Sequence, residues 1–559
     1  MRKRVIWATA TAALASLLAG CTGIPYSGGV NKGVPVADVI NSEIQFLPAG
    51  PVVDSSPEQI LRGFIDAATS PTGEWSVARQ FLAPDFARTW NPTASVLIDR
   101  GNRSISEESS TTYSLNTDVE SSVDAQGTFR AATSTAATIL NYTFVKVDGQ
   151  WRIAEGPNGV VIDSITFPRV FSQSTLYFYS PNFENLVPDV RWFPTRAATT
   201  TRVVSALMRG PAPWLAESHV AVNSIPIGAT LVAESVPVQS GTALVNLDAR
   251  SFKAGDVTTN RMLRQIAASL SGLAGVSTVE VLFSSVLQGK APVPTVQSLA
   301  GGAGSDEALV IRDGALAFLL AGQVSPLPGL SASVTSLNPS NVVLTRDHAL
   351  AVVNTSKGVF SVRSDNKVTL VDKRSGLIPA AIDGSSFMWT VPENNPTAIL
   401  VTGLAGAARS VLVPWIEAKQ IAFLSFSADG SRLVAGLVTP NGNKICIAGV
   451  SRGDDLWPKE VGPCTEVPAP VGTLLSGAWV DGTRVAVLSA TNISNLRIST
   501  VGGKSIDAAP PAGAIQVTGS GTLLAPRLLT RSGDVYEQYS NTRWSIIGSK
   551  ISLLGTSPK

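Results

Sequence analysis

From Val5 to Ala19 the chain is almost wholly apolar, and Arg2, Lys3 and Arg4 stand directly before it. A charged start, about fifteen apolar residues and small residues at the end predict a secretory signal peptide over residues 1–20. The run is shorter than the about 20 residues needed to cross a bilayer. Residues 21–53 are rich in Gly, Pro and Ser, as in Gly23-Ile24-Pro25-Tyr26-Ser27-Gly28-Gly29, and read as a tether. Ser56, then Pro57, with Gln59 three residues after Ser56, is a helix-start signal. Ile60, Leu61, Phe64, Ile65 and Ala68 follow on one helical face. A second helical stretch carries Trp75, Ala78, Phe81 and Leu82 and is expected to break at Pro84. Strand-like runs cover Thr111–Val119 and Thr138–Val147, and Asp148-Gly149 turns the chain into Gln150–Ile153. Helices followed by a curved antiparallel sheet predict an α+β domain over residues 54–168.

The pattern changes near Phe171. Strands are expected at Thr175–Tyr179, Leu186–Arg191, Ala243–Asp248 and Val276–Phe283, with Ile225–Leu231 leading into another. Helices are expected around Val203–Met208, stopped by Gly210-Pro211, and from Arg261 to Leu270. This alternation predicts an α/β domain over residues 169–288, followed by a Gly-, Pro- and Ala-rich linker over 289–307. Residues 308–559 show short strands and little helical periodicity. Within them a turn recurs at Asp347, Asp383, Asp429 and Asp481, about 36, 46 and 52 residues apart. The Asp is expected to cap the turn, the following Gly to take a positive φ, and the next strand to return apolar. Repetition at this spacing predicts an all-β propeller of four to six repeats, with an irregular β-sandwich as the alternative.

Leu18-Ala19-Gly20-Cys21 resembles the bacterial lipobox, in which the Cys is acylated with diacylglycerol and the preceding peptide removed. Cys21 is thus expected to anchor the chain to the outer face of a plasma membrane by two or three acyl chains, one alone binding only marginally. Of three cysteines this leaves Cys446 and Cys464, expected to form a disulfide in an oxidising compartment. Neither has a second Cys or a His at ligand spacing, so no metal site is expected. Loss of Arg2, Lys3 and Arg4 takes the formal charge from +2 to −1, which gives no electrostatic footprint for nucleic acid. The only histidines are His219 and His348, and no G-x-S-x-G elbow, Walker loop or dinucleotide fingerprint is present. The carboxylates at the Asp-Gly turns fit turn chemistry better than calcium ligation. Trp389, Trp415, Trp457, Trp479 and Trp544 are expected to be core or blade anchors, with sugar stacking as the alternative. No catalytic residue, cofactor or enzyme activity is expected.

The α+β pattern resembles the cone-shaped nuclear-transport-factor-2-like (NTF2-like) fold. The Leu176-Tyr177-Phe178 strand, Leu186-Val187-Pro188, the Gly210-Pro211 helix stop, Pro226-Ile227-Gly228-Ala229-Thr230 and Val245-Asn246-Leu247-Asp248 resemble the GerMN domain of spore-germination proteins. With the lipobox, the tether and the propeller, the order of parts is similar to the actinobacterial LpqB lipoprotein family across essentially the whole mature chain. That resemblance implies a partner, the extracytoplasmic sensor domain of a histidine kinase of the MtrB type, and through it an influence on the response regulator MtrA, cell-wall homeostasis and division. The alternative expectation is a cell-wall glycan-binding or glycan-modifying protein that uses the propeller funnel.

Overall fold

The computed structural model describes residues 48–132, 137–195, 198–248, 250, 255–299, 307–519, 525–540 and 542–557. Leu18, Ala19, Gly20 and Cys21 lie outside the described residues. Residues 48–559 form one compact unit.

The first helix, Pro57–Ala67, begins as its sequence dictates. Ser56 Oγ accepts from Gln59 N, while the Gln59 side chain accepts from Ser56 N. This reciprocal cap satisfies two amide groups that a helix start otherwise leaves bare. Ile60, Leu61, Phe64 and Ile65 are buried along one face. Pro84, expected to end a helix, instead opens one at Pro84–Thr89, since a proline at the first helical position forfeits no hydrogen bond. The preceding helix is only Ser76–Arg79. Both pack on a six-stranded sheet in which Gln150–Glu155, Thr138–Val147, Thr112–Asp124, Ser95–Ser109 and Val160–Asp163 lie side by side. Phe129–Ala131 pairs with Thr112–Asp124 off this path. Ser95–Ser109 and Val160–Asp163 were not expected. The first alternates apolar and polar only at its start, and beyond Asp99 its residues are largely exposed. The second pairs with it in parallel.

Phe171–Tyr179 and Leu186–Pro194 make an antiparallel hairpin that belongs to two cores. Phe171 and Trp192 pack with Phe167 in the first domain, while Leu176, Phe178, Val187 and Phe193 face the second. The second domain is a βαβ unit. Thr242–Leu247 runs parallel to Thr278–Phe283, and the helix Asp256–Ser269 connects them. The helix Thr199–Arg209 ends at Gly210, whose φ of 100° fits the predicted stop. The expected strand after Ile225–Leu231 is reduced to one bridge between Leu231 and Leu247 and the two-residue strand Val238–Gln239, which pairs antiparallel with Thr242–Ala243. The sheet also extends past the expected boundary at 288. Val286–Pro292 pairs antiparallel with Thr278–Phe283, so residues 289–292 are sheet rather than linker. Gly289 sits here because a Cβ would come within 3.1 Å of Leu263.

Six sheets follow, five of them entered by their innermost strand. Blades 2 to 6 begin at Asn341–Leu344, Ala381–Ile382, Gln420–Phe426, Thr473–Trp479 and Ala514–Gly519, and each runs outward in chain order. Blade 1 is different. Ala308–Arg312, Ala315–Leu320 and Gln323–Pro326 take the outer places, and the C-terminal strand Ile551–Leu554 pairs with Ala308–Arg312 at the inner edge. The last strand thus closes the first sheet, leaving no open end in the ring. Cys446, on the blade 4 strand Gly442–Arg452, is joined to Cys464 with Cα atoms 5.2 Å apart.

Candidate functional site at the two ends of the propeller

Asp347, Asp383, Asp429 and Asp481 occupy the turn between the first and second strands of blades 2, 3, 4 and 5. Asp383 Oδ1 accepts from Ser385 N and Phe387 N, while its Oδ2 accepts from Trp389 Nε1 and Arg452 Nη2. Asp481 accepts from Thr483 N, Arg484 N and Arg484 Nε. Asp429 accepts from Ser431 N and from the buried Arg432 guanidinium. The Asp383, Asp429 and Asp481 side chains are at most 7% exposed. Asp347, which is exposed, accepts from Thr345 Oγ1 and Ala349 N. Burial pushes the Asp429 carboxyl up, and Arg432 with the turn hydrogen bonds more than offsets this, holding it below the usual carboxylate range. The expected positive φ after the Asp occurs at Gly430, 71°, but not at Gly384 or Gly482. His348 and Ser386 carry it in two of the turns.

This end of the ring is where the two preceding domains seat. Arg432 Nη1 and Nη2 donate to Pro188 O and Gly482 O, and its guanidinium lies 4.8 Å from the Trp479 ring. Trp192 Nε1 donates to Gly502 O at 3.0 Å, and Lys504 Nζ to Ser164 O at 2.8 Å. Trp214, on the short helix Pro213–Glu217, packs on the second domain's core and on the core between blades 4 and 5. Gly449 and Gly462 let that helix approach, since a Cβ at Gly462 would lie 2.1 Å from Ser218 Oγ. The Asp189–Arg191 pair is almost fully buried beside them. Arg191 Nη1 donates to Gln126 O of the first domain, and Asp189 Oδ2 accepts from Ala212 N. A small recess of about 10 Å³ remains between Asp189, Trp214, Arg432 and Gly502, room for about one water. Burial, with Asp481 nearby, pushes the Tyr177 phenol up to about 12, so it stays protonated here.

The opposite ends of the same strands are open. Blades 4 and 5 bound a cavity of about 490 Å³ there, with Glu393 of blade 3 at its edge. Its wall is aliphatic at Ala422, Val438 and Leu474. The expected aromatic residues take no part in it. Trp389 and Trp415 are 1% exposed, and their indole N–H groups bond to Asp383 and Pro396 O. Trp544 Nε1 bonds Ala509 O, Trp457 packs on Phe387 and under Arg409, and Trp479 lies against Arg432. His219 lies in the second domain beyond the helix Pro213–Glu217, and His348 Nε2 is 3.2 Å from Ser557 Oγ in the propeller. Among the described residues no group of three His, Cys, Asp or Glu could hold a metal ion, and no helix is long and apolar enough to cross a membrane. Sequence reasoning located the Asp turns but missed the junction, because no local pattern around Pro188, Trp192 or Trp214 shows which domain each will meet.

Known proteins sort along the same lines. Residues 50–168 match the family model for the lipoprotein LpqB N-terminal domain, and residues 314–549 that for the lipoprotein LpqB beta-propeller domain. Residues 175–284 match the Germane model of sporulation and spore germination. Lipoprotein LpqB of Bifidobacterium longum is 27% identical over 77% of this chain and 76% of its own length. That of Thermobifida fusca is 26% identical over 70% of this chain and 66% of its own length, and that of Nocardia farcinica 32% identical over 36% and 34%. Among solved structures, TolB from Acinetobacter baumannii aligns with a TM-score of 0.33 at 10% identity, covering 56% of this chain and 94% of that one.

Proposed function

The chain belongs to the LpqB lipoprotein family, and from that premise we propose that it works by binding: anchored at the outer face of the plasma membrane through Cys21, it engages the extracytoplasmic domain of an MtrB-like sensor kinase and shifts its signalling state. The observation that carries this reading is where the propeller's acids are spent. Asp383, Asp429 and Asp481 satisfy backbone N–H groups and the guanidinium groups of Arg452, Arg432 and Arg484. They serve architecture, and what they build is one compact body from three domains. Such a body suits a role as a rigid binding surface better than one as a catalyst, and we read the chain as non-catalytic.

Anchoring confines it to the plane that holds the sensor, which raises the effective concentration of the pair. Binding then shifts the sensor's equilibrium only as far as it prefers one conformation over the other. The glycan-binding alternative needs aromatic platforms, and the five tryptophans it would draw on, expected first as core or blade anchors, are all buried or half-buried. The test is titration of the soluble chain from Thr22 onto the purified sensor domain. Micromolar or tighter binding, with altered phosphorylation of the response regulator when the kinase sits in vesicles, is the expected result. Failure to bind at tens of micromolar would sink the reading.

A further inference from the structure

The cavity at the open ends of blades 4 and 5 has a chemistry of its own. Glu393 is the one charged residue that lines it. Gln420 and Asn443 also line it, and each amide nitrogen donates one hydrogen bond to a neighbouring group. Gln420 Nε2 donates to Asn394 Oδ1 at 2.9 Å, and Asn443 Nδ2 to Gly472 O at 2.6 Å. Each keeps its carbonyl oxygen as an acceptor and one further N–H as a donor. The opening therefore presents the Glu393 carboxylate, the source of its charge, with two amide oxygens among its other polar groups, above the aliphatic wall of Ala422, Val438 and Leu474. An aliphatic wall under a set of acceptors is complementary to a side chain with an apolar stem and a cationic head.

The rim adds a second requirement. Val471 precedes the lining residue Gly472 in the loop entering blade 5 and is 74% exposed. Ile493, on the neighbouring turn, is 71% exposed and is tied to the lining residue Thr491 through Thr491 N–H to Ile493 O. These two exposed aliphatic side chains, each on a loop that carries lining residues, offer apolar contact at the rim. The N-terminal domains occupy the other end of these strands, so this end stays open to a partner.

We infer that this cavity is a peptide-binding site, which takes a lysine or arginine side chain of a partner protein while a neighbouring aliphatic residue of the same segment seats on Val471 and Ile493. The inference rests on the reading that the chain acts by binding another protein, and it places that contact on the propeller. The full mature chain is panned against a random dodecapeptide phage library, and enriched peptides are titrated by fluorescence anisotropy. Enrichment of Lys or Arg beside an aliphatic residue is expected. Affinity should fall at least about tenfold in Glu393→Lys, which reverses the charge, and in Thr473→Trp, which fills the cavity from an exposed position. Both variants should unfold at the wild-type midpoint. No enrichment, affinity indifferent to both substitutions, or free lysine amide binding as tightly as the peptides would each overturn the site. Because the peptides are selected without the sensor domain, a sensor that fails to bind refutes the proposed function and leaves the peptide result standing.

Discussion

Arg432 shows how much one residue holds. It is 1% exposed, yet it reaches Asp429 in its own turn, Gly482 in the next blade and Pro188 in the second domain. Asp429→Asn leaves that guanidinium buried without its counter-charge. Losing one partner of a buried pair costs about 3–5 kcal/mol, so the urea midpoint of the full chain should fall steeply in this variant. Asp372 is a second case. Burial raises its carboxyl, and Arg374 and Thr390 more than reverse the effect, leaving it below the ordinary range. A depressed folded pKa contributes stability that is complete above the unfolded value, about 4, and is lost as pH falls through the folded value. Urea midpoints should therefore change little through Asp372 and Asp429 between pH 7 and 5 and drop below about pH 4. Asp372→Asn should be less stable at pH 7 but lose less on acidification; an acid limb as steep as wild type would refute the assignment. At this scale the sequence was legible where chemistry is local. An Asp two residues before the amide it caps can be read from spacing. Arg452, which meets Asp383 from another blade 69 residues away, cannot.

Elements that carry their own start and stop signals were the readable ones. The Ser56 cap, the Asp148-Gly149 turn and the Gly210 stop each fix backbone with nearby atoms alone, and all three stand where expected. Ser56→Ala should cost about 1 kcal/mol of stability, checked by chemical denaturation. Val286–Pro292 was misread because its residues are mostly exposed, so its composition looks like linker although its backbone pairs with Thr278–Phe283. The blade count was equally hidden. One of the six sheets is assembled from both ends of the domain, and no local pattern announces that Ile551 will meet Arg312. Truncation after Ser549 removes this closing strand and bares the edge of Ala308–Arg312. The truncated chain should melt below the full chain in calorimetry and associate on size exclusion, while a monomer melting like wild type would contradict closure by this strand.

Across the whole molecule, the domains are joined less by linkers than by shared packing. The hairpin Phe171–Tyr179 and Leu186–Pro194 serves two cores at once, and Trp214 serves the second domain and the propeller. Sequence boundaries drawn at composition shifts place the hairpin wholly in one domain, because nothing in Trp192 or Trp214 tells which side will bury it. A body joined in this way should unfold and move together, and Gly462 offers a way to separate the parts without emptying a core. A Cβ there would lie 2.1 Å from Ser218 Oγ and 2.8 Å from Ser218 Cβ, both on the segment that ends the helix Pro213–Glu217. Gly462→Val should push that helix off blade 4 and pull Trp214 from its place between blades 4 and 5. Hydrogen exchange should then quicken at Pro213–Glu217 and along Gly442–Arg452, with blades 1 and 2 unchanged. Trp214→Ala should act in the same direction by losing the contact rather than forcing it, at a cost below the about 3–5 kcal/mol of a fully buried Trp, because the side chain is half-buried. If both variants exchange like wild type throughout, the propeller and the domains before it are independent bodies. If they loosen only the junction, they separate two properties that the intact chain couples. The proposed peptide capture at the far end of blades 4 and 5 should persist, while the proposed effect on a sensor domain should weaken to the extent that it needs a rigid body.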